Sequence, residues 1–325
     1  DRPGRHRHLR RAGLTAAARH RLNSGGSTKL LINDNSQNLT MQRIAFIGAG
    51  NMAGALIGGL LADGIAAERL IAADPSREKC DALSASTGMR TTQDNAAAVE
   101  ASDIVVLAVK PQIMHDVIDG IRDTVIQNRP LVISIAAGIR CETLQAWFGG
   151  DIPPVRTMPN PPAMIQSRAT ALYATEHVST EQREQAESLM RAVGVTQWLD
   201  DEAQMDAVTA LSGSGPAYLF LVMEAMEEAA KGCGLSSEAA HLLTLQTAFG
   251  ATRMALESKE SPAQLRARVT SPGGTTERAI ASFQNNMEER YEVQLQILDP
   301  QNEPLAMEII EPVADRRGLL FPLDK

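Results

Sequence analysis

The apolar positions of this chain repeat with different periods in different segments, and the changes of period outline its organisation. Arg43-Ile-Ala-Phe-Ile-Gly48 is a short apolar run closed by glycine, and Asn51–Ala62 then carries Ala, Leu and Gly at helical spacing. That order predicts strand, tight turn, helix. A second strand is expected at Leu70–Ala73, ending in Asp74, then a helix over Ser76–Ser86 and a short segment at Met89–Thr92. Asp103–Val109 is nearly continuous in β-branched and apolar residues, as a strand buried on both faces of a parallel sheet requires, and Leu131–Ile135 repeats the signal. Further strands are expected at Val155–Thr157, Ala169–Ala174 and Val195–Leu199, with a helix at Thr180–Val193. Strands alternating with helical stretches predict an α/β fold with a doubly wound parallel sheet. Beyond about residue 200 the strand signals stop. Ala217–Lys231, Ser237–Ser258 and Pro262–Val269 are apolar-periodic, with start signals at Ser236-Ser237-Glu238 and Ser261-Pro262, and predict an all-α second domain. Tyr291–Leu298 alternates with period two and favours a strand, followed by a turn over Asp299–Pro304. The expected domains are a basic extension at 1–40, the sheet domain at 41–200, the helical domain at 201–284 and an atypical segment at 285–325.

Composition narrows the functional classes. The 325 residues are 44% hydrophobic and 22% charged, with 24 Gly and 16 Pro, which excludes a collagen-like, low-complexity or wholly disordered chain. Cys80, Cys141 and Cys233 lie far apart with no CxxC pair, so neither a disulfide framework nor a zinc site is indicated, no metal is expected, and a reducing, cytoplasmic location is favoured. An aromatic share of 3% and a net charge of −8 speak against nucleic acid as a partner. Residues 1–40 depart from this balance, with eight basic residues against Asp1 and Asp34. They contain no apolar run long enough for secretion or for a membrane span, and read as a disordered extension of transit type or a nucleic-acid arm. Met41 opens the first clear strand and suits a natural start.

The chemistry gathers at turns. Gly48-Ala49-Gly50-Asn51-Met52-Ala53 matches G-x-G-x-x-[G/A] between strand and helix. In that motif the first glycine makes the turn, the second lets backbone approach a pyrophosphate, and a small third residue lets helix pack on strand. With Asp74 closing the next strand, the expectation is a Rossmann-type dinucleotide site. Asp74 suits the ribose hydroxyls of NAD, whereas Ser76 and Arg77 suit the 2′-phosphate of NADP; a solvated arginine is the plain alternative for Arg77. Ala108-Val109-Lys110-Pro111 follows a strand at the end where ligands bind in open α/β sheets. Lys110 is there either a proton donor or a surface lysine. Ser134-Ile-Ala136-Ala137-Gly138 ends the next strand with small residues that suit a flat ring, and Met158-Pro-Asn160-Pro-Pro162 is a rigid turn around Asn160. In the helical domain, Ser271-Pro-Gly273-Gly274-Thr275-Thr276 precedes a helix at Arg278. Its free N–H groups and two hydroxyls read either as an anion site for a small carboxylate or as an ordinary cap, and the two uses can coexist.

Taken together, Phe46-Ile47-Gly-Ala-Gly-Asn-Met52, Leu107-Ala-Val-Lys-Pro111, Ala136-Ala-Gly138, Arg156-Thr-Met-Pro-Asn160, Asp206 to Tyr218 with its Ser-Gly-Ser-Gly-Pro-Ala-Tyr ending, and Ser271–Thr276 resemble the pyrroline-5-carboxylate reductases, from about Met41 to Gln284. The resemblance implies NADPH or NADH as cofactor, reduction of a protonated cyclic imine to L-proline, and a homodimer formed by interleaved helices. It implies that Ile47–Met52 cradle the pyrophosphate and that Asp74 and Ser76 lie near the adenosine ribose. Asn95 and Ala108–Pro111 would line the cofactor cleft, with Ala136 and Ala137 on the nicotinamide side. Glu202, Thr275 and Thr276 match substrate-contacting positions, the Gly273–Thr276 N–H groups would hold the substrate carboxylate, and the Thr276 hydroxyl would meet the ring nitrogen. The chain departs from the family at Asn285–Lys325, which reads as turn and strand where a glycine and a closing helix are usual, and at residues 1–40. Two rival readings remain at this level. One is a reductase of the 3-hydroxyacid dehydrogenase kind, for which Lys231 and Lys259 lack a matching motif; the other is a regulatory protein that binds the cofactor without turnover.

Overall fold

The computed structural model of the chain describes residues 41–160, 168–288, 294–298 and 304–308. The extension at 1–40, the Pro161-Pro162 end of the proline turn, Tyr291–Val293, Asp299–Glu303 and everything beyond Glu308 lie outside the described residues. In chain order the first part runs β1 (Ile44–Ile47), α1 (Asn51–Ala62), β2 (Leu70–Ala73), α2 (Arg77–Thr87), β3 (Arg90–Thr92), α3 (Asn95–Glu100), β4 (Ile104–Leu107), α4 (Pro111–Asn128), β5 (Leu131–Ser134), α5 (Cys141–Trp147), β6 (Val155–Pro159), β7 (Arg168–Ala174), α6 (Thr180–Arg191) and β8 (Gly194–Trp198). Helices α3, α4 and α5 fill crossovers that the strand spacing requires.

These strands form one sheet in the order β3-β2-β1-β4-β5-β6-β7-β8. Every residue of β1, β2, β4 and β5 is buried. Alternate residues enter different cores, because successive side chains of a strand point to opposite faces. Ile44, Phe46, Ile104, Val106 and Ile133 pack with Leu56, Ile57 and Leu60 of α1 and Leu189 and Met190 of α6. Ala45, Ile47, Val105, Leu107 and Val132 pack with Met114, Ile118, Ile121 and Val125 of α4 and Leu144 of α5. Two cores on one sheet are what doubly wound means in packing terms. Each large apolar side chain taken fully out of water contributes about 1.5–3 kcal/mol.

The sheet is mostly parallel, as expected, with one antiparallel pairing. The sheet is parallel from β3 through β6, but β7 runs antiparallel to β6, with Val155 opposite Ala174 and Pro159 opposite Thr170. The connection at 160–167 is too short for a parallel crossover, which takes about a dozen residues or more. β8 then pairs parallel to β7 after the crossover through α6, whose start is fixed by a reciprocal cap between Ser179 and Gln182.

The second part is helical: α7 (Gln204–Val208), a π-turn at Thr209–Gly213, α8 (Gly215–Gly232), α9 (Ser237–Glu257), α10 (Pro262–Arg268) and α11 (Thr275–Glu288). Two strands follow, β9 (Gln294–Leu298) and β10 (Pro304–Glu308), paired antiparallel in a separate sheet. The expected strand is therefore present from Gln294. Pro304, expected in a turn, instead begins a second strand.

In this part burial is sparse. α8 has no buried residue and α9 has only Ala240 and Thr244. Leu219, Phe220, Leu221, Leu242, Leu243 and Phe249 are all exposed. Contiguous apolar surface of this kind marks an interaction face. Among the described residues no helix is long and apolar enough to cross a membrane.

Candidate active site

The sheet brings the glycine turn after β1, Asp74 after β2, Ala108–Pro111 after β4 and Ile135–Gly138 after β5 to one edge, the carboxyl ends of the parallel strands. Gly48 has φ +106, and a Cβ there would stand 2.7 Å from the Ala108 carbonyl oxygen. Only glycine lets the turn pass so close to β4. Gly50 is the opposite case: a Cβ there would meet nothing within 4 Å, and as N-cap of α1 it supplies no side-chain cap. An uncapped helix N-terminus with open space beside its glycine is a fitting place for an anionic group. The residues present therefore fit a dinucleotide pyrophosphate.

Asp74 is 5% exposed and committed to the loop itself. Its Oδ2 accepts the Ala49 N–H at 3.0 Å and lies 3.4 Å from Lys79 Nζ; its Oδ1 accepts the Ser76 N–H at 2.9 Å. Burial pushes this carboxyl up, but the two N–H groups and the Lys79 ammonium more than offset it and hold it below the usual carboxylate range. A depressed folded-state pKa means the unfolded chain binds the proton more tightly. The stabilisation is thus present above the unfolded value, about 3.9, and is lost as pH falls through the folded one. The thermal unfolding temperature is expected to fall steeply below about pH 4. Asp74→Asn should unfold at a lower temperature near neutrality and show a shallower acid slope; equal slopes would remove Asp74 from this role.

The other sequence-predicted positions are distributed as follows. Ser76 caps α2, accepting from the Lys79 N–H. Arg77 is exposed and ion-pairs with Asp81 at 3.7 Å. Asn95 begins α3 and lines a cleft of about 450 Å³ with Gln93, Asp94, Ile113 and Asp116. Lys110 is exposed and precedes Pro111, the first residue of α4, where a missing N–H costs nothing. Ala136 is buried and Ala137 half-buried, and the turn ends at Gly138 with φ +77. The Asn160 Oδ1 accepts the Ala169 N–H at 3.1 Å and so closes the β6–β7 connection.

The Ser271–Thr276 turn is exposed except at half-buried Gly274. Gly273 has φ +73, Gly274 donates to the Ser271 carbonyl at 3.0 Å, and α11 begins at Thr275. One anion position there is taken by the chain's own carboxylate, since Gly273 N–H donates to Glu277 Oε2 at 2.6 Å. Of Glu202, implied by the resemblance to meet substrate, Oε1 accepts the Cys141 N–H at 2.7 Å and Arg156 Nη1 at 3.0 Å. The sequence reading gave Arg156, Lys79 and Glu277 no role. For Glu277 a signal existed, because a carboxylate four residues after a glycine turn is a capping pattern.

Comparison with known proteins adds the following. Residues 202–292 match the family model described as pyrroline-5-carboxylate reductase dimerisation, and residues 43–138 match that described as NADP oxidoreductase, coenzyme F420-dependent. The chain is 53% identical over 248 residues to a pyrroline-5-carboxylate reductase of Pseudomonas aeruginosa, covering 76% of this chain and 90% of that one. It is 40% identical to pyrroline-5-carboxylate reductase 2 of Bacillus subtilis over 76% of this chain and 88% of that one. Among solved structures it resembles a pyrroline-5-carboxylate reductase of Coxiella burnetii, with a TM-score of 0.72, 46% identity and coverage of 76% of this chain and 92% of that one. It also resembles the Plasmodium falciparum pyrroline carboxylate reductase with NADP bound, with a TM-score of 0.70, 29% identity and coverage of 77% and 92%.

Proposed function

The chain belongs to the pyrroline-5-carboxylate reductase family, and from that premise we propose how its residues perform an NAD(P)H-dependent reduction of 1-pyrroline-5-carboxylate to L-proline, the last step of proline biosynthesis. The observation that carries the reading is the presence in one chain of the uncapped glycine-lined start of α1, in the stretch that matches the NADP oxidoreductase model, and the Ser271–Thr276 turn, in the stretch that matches the dimerisation model. The first holds a pyrophosphate and the second offers N–H groups and hydroxyls to a small carboxylate.

When bound, the reduced nicotinamide supplies the hydride that adds to the carbon of the protonated C=N bond. The protein's part is position and electrostatics. Gly48–Met52 hold the phosphates against α1, with Asp74 keeping Ala49 in place. Ser76 and Arg77 lie at the ribose end. Asn95 and Ala108–Pro111 line the cleft, and Ala136 and Ala137 leave room for the flat ring. Gly274 and Thr275 hold the substrate carboxylate together with Gly273, whose N–H Glu277 must first release. Thr276 Oγ1 accepts a hydrogen bond from the protonated ring nitrogen, which keeps the C=N bond in its electrophilic form beside the carbon that takes the hydride. The exposed faces of α8 and α9 are covered by a second copy, which makes a homodimer. Three free thiols, two of them buried, favour a reducing compartment, the cytoplasm.

Steady-state assay of the full chain with 1-pyrroline-5-carboxylate and NADPH tests this reading. Loss of the reduced-nicotinamide absorbance that depends on the imine is expected. Tight cofactor binding without imine-dependent oxidation would favour the regulatory alternative.

A further inference from the structure

Helix α11 begins at Thr275, so Gly274 is its cap residue and Glu277 the third residue of its first turn. In a reciprocal cap, a glutamate at that place returns to the N–H of the cap residue. Glu277 reaches one residue further back. Its Oε2 accepts the Gly273 N–H at 2.6 Å, outside the helix and at the glycine whose φ of +73 bends the turn. The hydroxyls that could cap this helix do not: among the described residues neither the Thr275 nor the Thr276 hydroxyl has a hydrogen-bond partner. The turn therefore leaves two hydroxyls open while one of its N–H groups is closed by a carboxylate of the chain itself. Glu277 and Gly273 are both exposed, so water can take either side of the bond when it opens. A short bond from an N–H to an ionised oxygen is stronger than a neutral one, yet exposure keeps it exchangeable.

We propose that Glu277 sets the affinity of the substrate site: it is a tethered carboxylate that holds part of the seat of the substrate carboxylate and is displaced when substrate arrives. The inference rests on reading the Ser271–Thr276 turn as that seat. Two carboxylates compete for one N–H, and as like charges on one turn they repel each other. Binding then waits on the fraction of molecules in which Glu277 has let go, and the apparent dissociation constant is the intrinsic one divided by that fraction. The ligand class follows from the same geometry. What displaces Glu277 must itself be a small carboxylate, so the imine substrate and L-proline are weakened alike. Before binding, Glu277 keeps the Gly273 N–H satisfied; after reduction, its return helps the product leave.

The test uses the full chain with Glu277→Ala and Glu277→Gln, assayed at saturating NADPH. In Glu277→Ala, KM for 1-pyrroline-5-carboxylate should fall about three- to tenfold, a modest step because the bond is exposed. Glu277→Gln removes the charge but keeps an acceptor for the Gly273 N–H, so its KM should fall by a smaller factor, about two- to threefold. If Glu277 merely caps α11, its loss loosens the turn instead, and KM for the imine rises or stays as in the parent. Either result in Glu277→Ala overturns the proposal. Binding of L-proline to the chain loaded with NADP+, followed by calorimetry, reads the same competition without turnover, and its dissociation constant should tighten by the same factors. If the parent reduces the imine and binds L-proline while both variants bind it no tighter, the proposal falls and the functional reading stands. If the parent neither reduces the imine nor binds L-proline, the functional reading falls and the proposal with it. Should Glu277→Ala not fold, Glu277→Gln carries the same test, a parental or raised KM overturning the proposal.

Discussion

Gly48→Ala is expected to cost the chain its cofactor before it costs the fold. The added Cβ would stand 2.7 Å from the Ala108 carbonyl oxygen and 3.1 Å from Val109 Cγ1, at a residue with φ +106. The first obstacle is backbone, which cannot turn aside like a flexible side chain. Either β1 moves from β4, against the Ala108 N–H to Ile47 bond at 2.8 Å, or the turn itself moves and takes the Ala49 N–H off Asp74. Strain of this kind is worth about 1–3 kcal/mol. The NADPH dissociation constant, read by fluorescence titration, should rise at least about tenfold for a loss of about 1.4 kcal/mol. The unfolding temperature should fall by several degrees. Gly50→Ala is the informative partner, since its φ is −77 and its Cβ meets nothing within 4 Å. It should unfold like the parent yet bind NADPH more weakly, because its methyl enters the space left for the phosphates. If Gly48→Ala binds NADPH as the parent does, the glycine turn is not the cradle.

Thr276→Ala should show the complementary defect. A hydrogen bond to a charged group contributes about 1.5–3 kcal/mol, so kcat/KM for the imine should drop about ten- to a hundredfold. NADPH affinity should hardly change, because the loss lies in the helical segment. Thr276→Ser keeps the hydroxyl and should keep most of the activity. An alanine variant with parental kcat/KM would show that the ring nitrogen is held by something else. Thr275 and Thr276 are both exposed at the start of α11, and nothing local prevents either substitution.

The central sheet was legible because its strands are apolar on both sides. Ile104–Leu107 can only be buried between two layers of helices, and the same reasoning placed Leu70–Ala73 at its observed limits. The direction of β7 was not legible, since a run such as Ala169–Ala174 has the same pattern whichever way it points; only the short connection before it decided the matter. Glycines announced the tight turn after β1, because φ +106 at Gly48 leaves little other choice. The geometry of Asp74 was only half visible: an acid at the end of β2 suggested a ribose partner, but its two N–H bonds to Ala49 and Ser76 depend on how the turn closes in space. Arg156 and Glu202 are 46 positions apart, and their pairing belongs to the tertiary fold. The apolar faces of α8 and α9, which the single chain leaves uncovered, fit the interleaved helices of the homodimer that the resemblance implies.

Transfer of the hydride itself is the most direct test. With reduced cofactor carrying deuterium at the transferable position of the nicotinamide, the full chain should produce L-proline labelled at C5, the former imine carbon, with one deuterium per molecule formed. Unlabelled proline, label lost to solvent, or no proline despite bound cofactor would contradict the account.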